Sequence, residues 1–308
     1  MSAARGTRRA PRQDVHGIIV LDKPEGLSSN RALQRVRGLL NARKGGHTGA
    51  LDPAASGLLP LCFGEATKVS AFLLDADKTY EVAATFGERR STGDREGDVV
   101  ARGPVPALSD SGWRERLAAL VGPMQQVPPM YSALKHGGRR LYELARAGES
   151  VERQPRAIVV RAIELLGAAG ATVRFAVTCS KGTYVRVLVE DLATALGTVA
   201  YTSGLRRTGL GPFAAATMVP LARLEAEPDT VPAHLRNIDT ALTALPAVRL
   251  TGAEARRFAH GQAVSGPAAG PGGQCRVYAP GGELLGVGLA DEAGTVAPVR
   301  VIRHGEPG

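Results

Sequence analysis

Gly45-Gly-His-Thr-Gly-Ala-Leu-Asp-Pro-Ala-Ala-Ser-Gly57 separates a predicted helix from a predicted strand, and its reading decides how the first part of the chain folds. It is too rich in glycine for a helix, and His47, Thr48 and Asp52 give it more functional groups than a spacer requires. Upstream, Gly17-Ile-Ile-Val-Leu-Asp22 reads as a short buried strand closed by the turn Lys23-Pro24-Glu25-Gly26. Ser28 or Ser29 offers an N-cap, after which Leu33, Val36 and Leu40 recur at helical spacing. Downstream, residues 58–63 and 79–86 read as strands with a helix over 66–74 between them. The second strand alternates Tyr80, Val82, Ala84 and Phe86 on one face.

The same periodicities extend along the chain. A polar loop over 89–97 precedes a helix near 113–120, then the extended stretch Pro128-Pro-Met-Tyr-Ser-Ala-Leu-Lys135 and a basic run to Arg146. Val173, Phe175, Val177 and Cys179 alternate in a strand over 172–179, and Val185, Leu188, Val189 and Leu192 line a helix that ends near Leu196. Residues 1–16 read as a basic disordered tail, with Arg5, Arg8, Arg9 and Arg12 and no apolar period, so folding is expected to start at Gly17. Residues 214–245 read as a linker within a first domain spanning 17–245. From Pro246 to residue 308, short strands with Gly and Pro turns predict a small β-rich module. The fold class is α+β: a mixed, mostly antiparallel sheet with peripheral helices, followed by that module.

Composition narrows the function. With 308 residues, 44% hydrophobic and 22% charged, the chain is long enough for a sizeable core and is not low-complexity. Cys62, Cys179 and Cys275 are too few and too far apart for a disulfide framework or a CxxC zinc site, which fits a reducing compartment. No apolar run approaches the roughly 20 residues of a membrane helix. The net charge of +9 favours a polyanionic partner. Only six of the 38 basic residues are lysines, however, so arginine-biased coding could produce the same sum.

Nucleotide phosphate loops, dinucleotide fingerprints and zinc-hydrolase spacings are absent from the sequence. Ser132-Ala-Leu-Lys135 matches an acylating S-x-x-K motif but lacks that motif's companion boxes. The remaining candidate is Asp52. Cations beside it would keep it ionised and usable as a nucleophile or base. The alternative is a turn carboxylate that caps the next amide. Arg31, Arg35, Arg37, Arg43 and Lys44 form a basic stripe before the loop, either an RNA footprint or a solvated helix face.

Taken together, Gly17–Ser29, Gly46–Gly57, Lys78-Thr-Tyr80, Val127–Lys135, Cys179–Arg186 and Leu205-Arg-Arg207 resemble the bacterial tRNA pseudouridine synthase B family, over roughly residues 17–213. The resemblance implies a pseudouridine synthase fold, a PUA-like RNA-binding module at the C-terminus, and conversion of uridine 55 in the tRNA T-loop to pseudouridine with no metal or cofactor. It makes Asp52 the acting aspartate. His47 would hold the uridine outside the T-loop stack, Tyr80 would stack on the target base, Tyr184 and Leu205 would line the uridine pocket, and Arg186 would pair bidentately with the catalytic carboxylate. Arg31, Arg35, Lys135, Arg139, Arg140, Arg206 and Arg207 are expected on the RNA backbone. The partner implied is the tRNA T-arm, for a cytoplasmic monomer with no membrane or obligate protein partner. Ser91 stands where the family pattern carries an aspartate, which puts that residue's support of the site in doubt. An RNA-folding chaperone and the catalytic subunit of guide-RNA ribonucleoproteins are the rival readings.

Overall fold

The computed structural model describes residues 11–265 and 272–303; the tail expected over 1–16 therefore lies outside it up to residue 10. Residues 11–16 are not a free tail. Gln13 exchanges 2.8 Å backbone hydrogen bonds with Asn41 and Arg43, and His16 Nδ1 accepts from the Glu65 amide at 3.0 Å. The turn after the first helix presents unpaired backbone groups, and this extended segment satisfies them, so ordered chain begins before Gly17.

The main body is one ten-stranded sheet. Its strands are β1 (Gly17–Lys23), β2 (Gly45–His47), β3 (Ser56–Phe63), β4 (Lys78–Phe86), β5 (Gly122–Gln126), β6 (Arg156–Ala169), β7 (Thr172–Cys179), β8 (Ala200–Leu210), β9 (Phe213–Ala214) and β10 (Val219–Pro220). The order is β10-β1-β3-β8-β4-β7-β6-β5, with β2 paired to β3 and β9 to β8. Only β1–β10 and β3–β8 are parallel. β1 is buried on both faces, Ile19 and Leu21 on one and Ile18 and Val20 on the other, which explains its unbroken apolar run. The helices Ser29–Leu39 and Val185–Ala195 cover the first face, with Leu33, Val36, Leu188 and Val189 in its core.

Several segments differ from their sequence reading. Gly45–His47 is a strand on β3 rather than part of the loop. The supposed polar loop at 89–97 is the turn of a hairpin, Glu88–Arg90 against Val99–Arg102. The basic run opens as a second hairpin, Lys135–His136 against Arg139–Arg140, before the helix Leu141–Arg146. Residues 214–245 are no linker: β10 pairs with β1, and Ile18 and Arg236 exchange backbone bonds of 3.0 and 2.8 Å.

The C-terminal part forms its own five-stranded sheet, 247–249, 273–278, 284–290, 295–301 and 264–265 in spatial order. A helix, Gly252–Ala259, starts at a Thr251/Glu254 capping box. Tyr278, Leu284, Val287 and Ile302 of this unit share a cluster with Ile18, Val20, Leu58 and Leu73. Lys68 Nζ also donates to the Val301 carbonyl at 2.8 Å. The two sheets therefore share apolar core as well as hydrogen bonds.

Candidate active site

The loop carrying Asp52 is tied down on both sides of that residue. Ser28 caps the first helix, which leaves its neighbour Ser29 pointing inward, 3% exposed. Ser29 Oγ accepts from the Leu51 amide at 2.8 Å and donates to the Leu51 carbonyl at 3.0 Å. Gly26 N donates to the Pro53 carbonyl at 2.8 Å, and Thr48 N to the Pro60 carbonyl at 3.1 Å. Arg207, 1% exposed, donates from Nη2 to the Gly49 carbonyl at 3.0 Å and from Nε to the Leu58 carbonyl at 2.6 Å. Gly57 is required here: its φ is +99°, and a Cβ would lie 2.2 Å from the Arg207 carbonyl oxygen across the β3–β8 pairing.

Facing this loop is the first turn of the helix Val185–Ala195. Gln126, buried on β5, brackets Tyr184 by accepting from its amide at 2.7 Å and donating to its carbonyl at 3.2 Å. That contact sets the helix start and aims Arg186 at Asp52. The guanidinium Nη2 lies 3.0 Å from Asp52 Oδ2, and Nη1 lies 3.6 Å from Asp94 Oδ2. Nη1 also donates to the Thr92 carbonyl at 2.6 Å and Nη2 to the Tyr131 carbonyl at 2.7 Å. The expected bidentate pair is therefore corrected: the arginine fork is shared between two acids and two carbonyls, because Asp94 is buried on its other side.

Burial pushes the Asp52 carboxyl above its ordinary range, opposed by Arg186, reinforced by Asp94 and opposed again by Lys23. One edge of the carboxylate still meets solvent, with the side chain 44% exposed. A cavity of only about 10 Å³ adjoins it, walled by Asp94, Arg95, Arg186 and Leu205 among others. That space holds about one water molecule.

The remaining expected pocket residues gather nearby. Tyr80 is buried on β4, its phenol pushed up by burial and lying within the fields of Arg207 and Asp52. Burial, then Arg207 and Arg140, depress His47, whose buried Nδ1 has no partner among the described residues. Tyr184 lies beside Ser132, and burial raises its phenol. Ser132 is buried while Lys135 is exposed, so the S-x-x-K pair does not assemble. Ser91 closes the hairpin turn, its Oγ accepting from the Asp98 amide at 3.2 Å.

The backbone-contact set divides. Arg31 on its helix and Lys135, Arg139 and Arg140 on their hairpin are exposed. Arg139 pairs with Glu149 at 3.1 Å and Arg35 with Glu225 at 2.6 Å. Arg206 makes a two-pronged pair with Asp22, at 3.0 and 2.8 Å. Arg207 is corrected outright: next to Arg206 on β8 it faces the opposite side of the sheet, in the core, where it braces the Asp52 loop.

Residues 37–185 match the TruB family pseudouridylate synthase N-terminal domain, residues 186–243 the tRNA pseudouridylate synthase B C-terminal domain, and residues 246–302 the pseudouridine synthase II TruB C-terminal domain. The tRNA pseudouridine synthase B proteins of Stutzerimonas stutzeri and Burkholderia mallei are each 50% identical to it, over 95% and 96% of this chain and 97% of either relative. The chain belongs to the TruB family of pseudouridine synthases. Among solved structures, a Cbf5–Nop10–Gar1 complex aligns with a TM-score of 0.73 and 26% identity, over 94% of this chain and 85% of the other. An H/ACA RNP bound to a substrate RNA containing 2′-deoxyuridine aligns with a TM-score of 0.72 and 25% identity, over 94% of this chain and 86% of the other. These are pseudouridine synthase fold neighbours, and the TruB relatives are twice as similar in sequence.

Within this TruB chain, three site residues escaped the sequence reading. Asp94, three residues after Ser91, is the second acid on Arg186. Ser29 was weighed as a cap and instead holds Leu51. Lys23 is fully buried, donates to the Pro24 and Leu27 carbonyls at 2.8 and 2.7 Å, and is lowered to about 8 by burial against the pull of Asp52. The signal for all three was a polar residue inside an otherwise apolar or turn motif.

Proposed function

We propose that this chain converts uridine 55 of the tRNA T-loop to pseudouridine, with Asp52 as the acting carboxylate. The observation that carries this reading is the Asp52–Arg186 contact of 3.0 Å, at a cleft that Leu205 also lines. The names of the 50% identical relatives supply the substrate class.

The isomerisation breaks the N1–C1′ bond, turns the uracil, joins C5 to C1′ and moves one proton from C5 to N1. No atom is gained or lost, so the chemistry calls for no cofactor; what it calls for is a pocket that retains the detached base. In this reading Asp52 would attack C1′, add to C6 or remove the 2′ proton. A base inside a folded loop must leave its stack first, at a cost of a few kcal/mol. His47 and Tyr80 flank the Asp52 loop on β2 and β4, where they can fill the vacancy and stack on the extruded uracil. Exposed Arg31, Lys135, Arg139 and Arg140 would hold the backbone of the T-arm.

The protein is expected to work in the cytoplasm as a monomer on free tRNA, with no added metal, guide RNA or protein partner. The deciding experiment is Asp52→Asn on unmodified tRNA, with modified uridines mapped by mass spectrometry. The variant should bind tRNA and form no pseudouridine; full activity would overturn the assignment. Retained help with tRNA folding by the same inactive variant would support a coexisting chaperone role.

A further inference from the structure

Arg186 is also part of the wall of a second, larger space. A cavity of about 450 Å³ lies between the 88–102 hairpin, the stretch 127–131 and the start of the helix Val185–Ala195. It is the size of a small-ligand site, far larger than the slot at Asp52. Val100, Val127, Pro128 and Pro129 supply an apolar side, and Arg89, Arg90 and Arg153 a cationic one.

The charges of that wall are unequally matched. Arg186 faces Asp52 and Asp94. Arg90 reaches Glu88 at 3.5 Å, donates to the Gly97 carbonyl at 3.1 Å and sits 4.6 Å over the Tyr201 ring. Glu190, the one acid of the lining, lies in the field of Arg89, which lowers it against the effect of burial. Arg153 has no acid or carbonyl partner among the described residues, and its buried Nε, like that of Arg90, has no acceptor there. An arginine N–H withdrawn from water without an acceptor is costly. Its fork geometry suits a phosphate.

We propose that this cavity binds a phosphodiester of the RNA strand next to the target nucleoside, with Arg153 as the guanidinium that holds it. The proposal rests on the reading of the substrate as RNA presented to Asp52. The shared Arg186 wall puts the cavity beside the reacting centre, and the apolar side leaves room for the attached sugar and base. Arg153 stands in the plain stretch Val151-Glu-Arg-Gln-Pro155, which gives no sign of this in sequence.

The test compares wild type, Arg153→Gln and Arg153→Lys for binding of a T-arm stem-loop, by fluorescence anisotropy across a salt series. Arg153→Gln should weaken binding about tenfold and flatten the slope of log K against log salt by roughly 0.7 to 0.9, the value for one phosphate. Arg153→Lys should keep the slope and lose part of the affinity. Stem-loops with one methylphosphonate at each position around the target uridine locate the contact. One of them should weaken wild type and leave Arg153→Gln unchanged. An unaltered slope in Arg153→Gln, or methylphosphonate effects that are identical in wild type and variant at every position, would overturn the proposal. Failure of the wild type to form pseudouridine would overturn the functional reading instead, since the binding series does not depend on turnover.

Discussion

Replacing Arg186 by lysine keeps the positive charge and removes the fork. The side chain makes four contacts, at 2.6 and 2.7 Å to the Thr92 and Tyr131 carbonyls, 3.0 Å to Asp52 and 3.6 Å to Asp94. An ammonium at the end of a shorter stem can satisfy about half of these. Two lost hydrogen bonds from a charged donor amount to about 1.5–3 kcal/mol each. Asp52 keeps a solvated edge, so its share is discounted, and a net loss of about 3–4 kcal/mol follows. If that loss falls on the orientation of Asp52 in the transition state, kcat drops by about 10²- to 10³-fold, at 1.36 kcal/mol per decade. Single-turnover release of the C5 proton from labelled uridine in tRNA measures it, because that hydrogen must leave in any route to the C-glycoside. A thermal melt run beside it separates chemistry from folding. A kcat within threefold of wild type would refute the reasoning. So would a melting point so lowered that unfolding accounts for the loss.

Gly57→Ala should destabilise the protein by about 3 kcal/mol, on the order of 6 °C in Tm, because the added Cβ meets backbone where φ is already positive. Gly138→Ala, with φ +85° and open space around it, should cost only about 1 kcal/mol; equal melting shifts would contradict the close approach. Because burial and Asp94 raise Asp52, kcat/KM should fall as pH drops through a midpoint above the usual aspartate range. Asp94→Asn removes one of the raising charges and should move that midpoint down; an upward move would count against the coupling. Changing Lys135, Arg139 and Arg140 together to glutamine should flatten the salt dependence of tRNA binding by roughly 2 to 3 units. Arg207→Gln should instead lower Tm with little change in that slope, as its donors serve the Gly49 and Leu58 carbonyls.

Which features were legible in the sequence follows from how locally they are encoded. β1, β3, β4 and β7 are continuous or cleanly alternating apolar runs, and the helix Ser29–Leu39 carries its own cap, so pattern alone places them. β8 lies in the middle of the sheet and was missed. Ala-Tyr-Thr-Ser-Gly-Leu-Arg-Arg-Thr-Gly-Leu contains two glycines, and register shifts after Thr202 and Arg207 break the period of two. β6 has the same fault, with bulges after Val160 and Leu165. At the site, the residues themselves singled out only Asp52, while Arg186, Tyr80 and Leu205 came from the family resemblance. The sharing of Arg186 between two acids came from neither, since Asp94 comes from a hairpin whose position depends on long-range packing. Net charge misled in one respect: Arg206 and Arg207 adjoin in sequence, yet the strand turns one to a surface pair with Asp22 and buries the other.

The contrast between the two walls of the cleft says how a uridine would gain entry. The slot beside Asp52 holds about one water molecule, far less than a uracil, so a base that enters the slot itself displaces one of its walls. The Asp52 wall is a poor candidate. Leu51, Pro53, Thr48 and Gly49 are each fixed by hydrogen bonds to Ser29, Gly26, Pro60 and Arg207, and Leu51 and Thr48 are buried. Displacing them would strand buried polar groups, at about 1–3 kcal/mol apiece. The opposite wall is the tip of the 88–102 hairpin, whose Asp94 and Arg95 line the slot. Arg186 holds the Thr92 carbonyl at 2.6 Å and buried Asp94 at 3.6 Å, the Thr202 amide donates to the Gly93 carbonyl at 3.0 Å, and beyond them the Arg95–Glu25 pair crosses the cleft at 2.5 Å, with the side chains 42% and 45% exposed. An exposed pair of that kind holds by about 0–1 kcal/mol. The Arg95 side chain is therefore the part of the cleft wall that gives way at least cost, while Asp52, Arg186 and buried Asp94 keep their places.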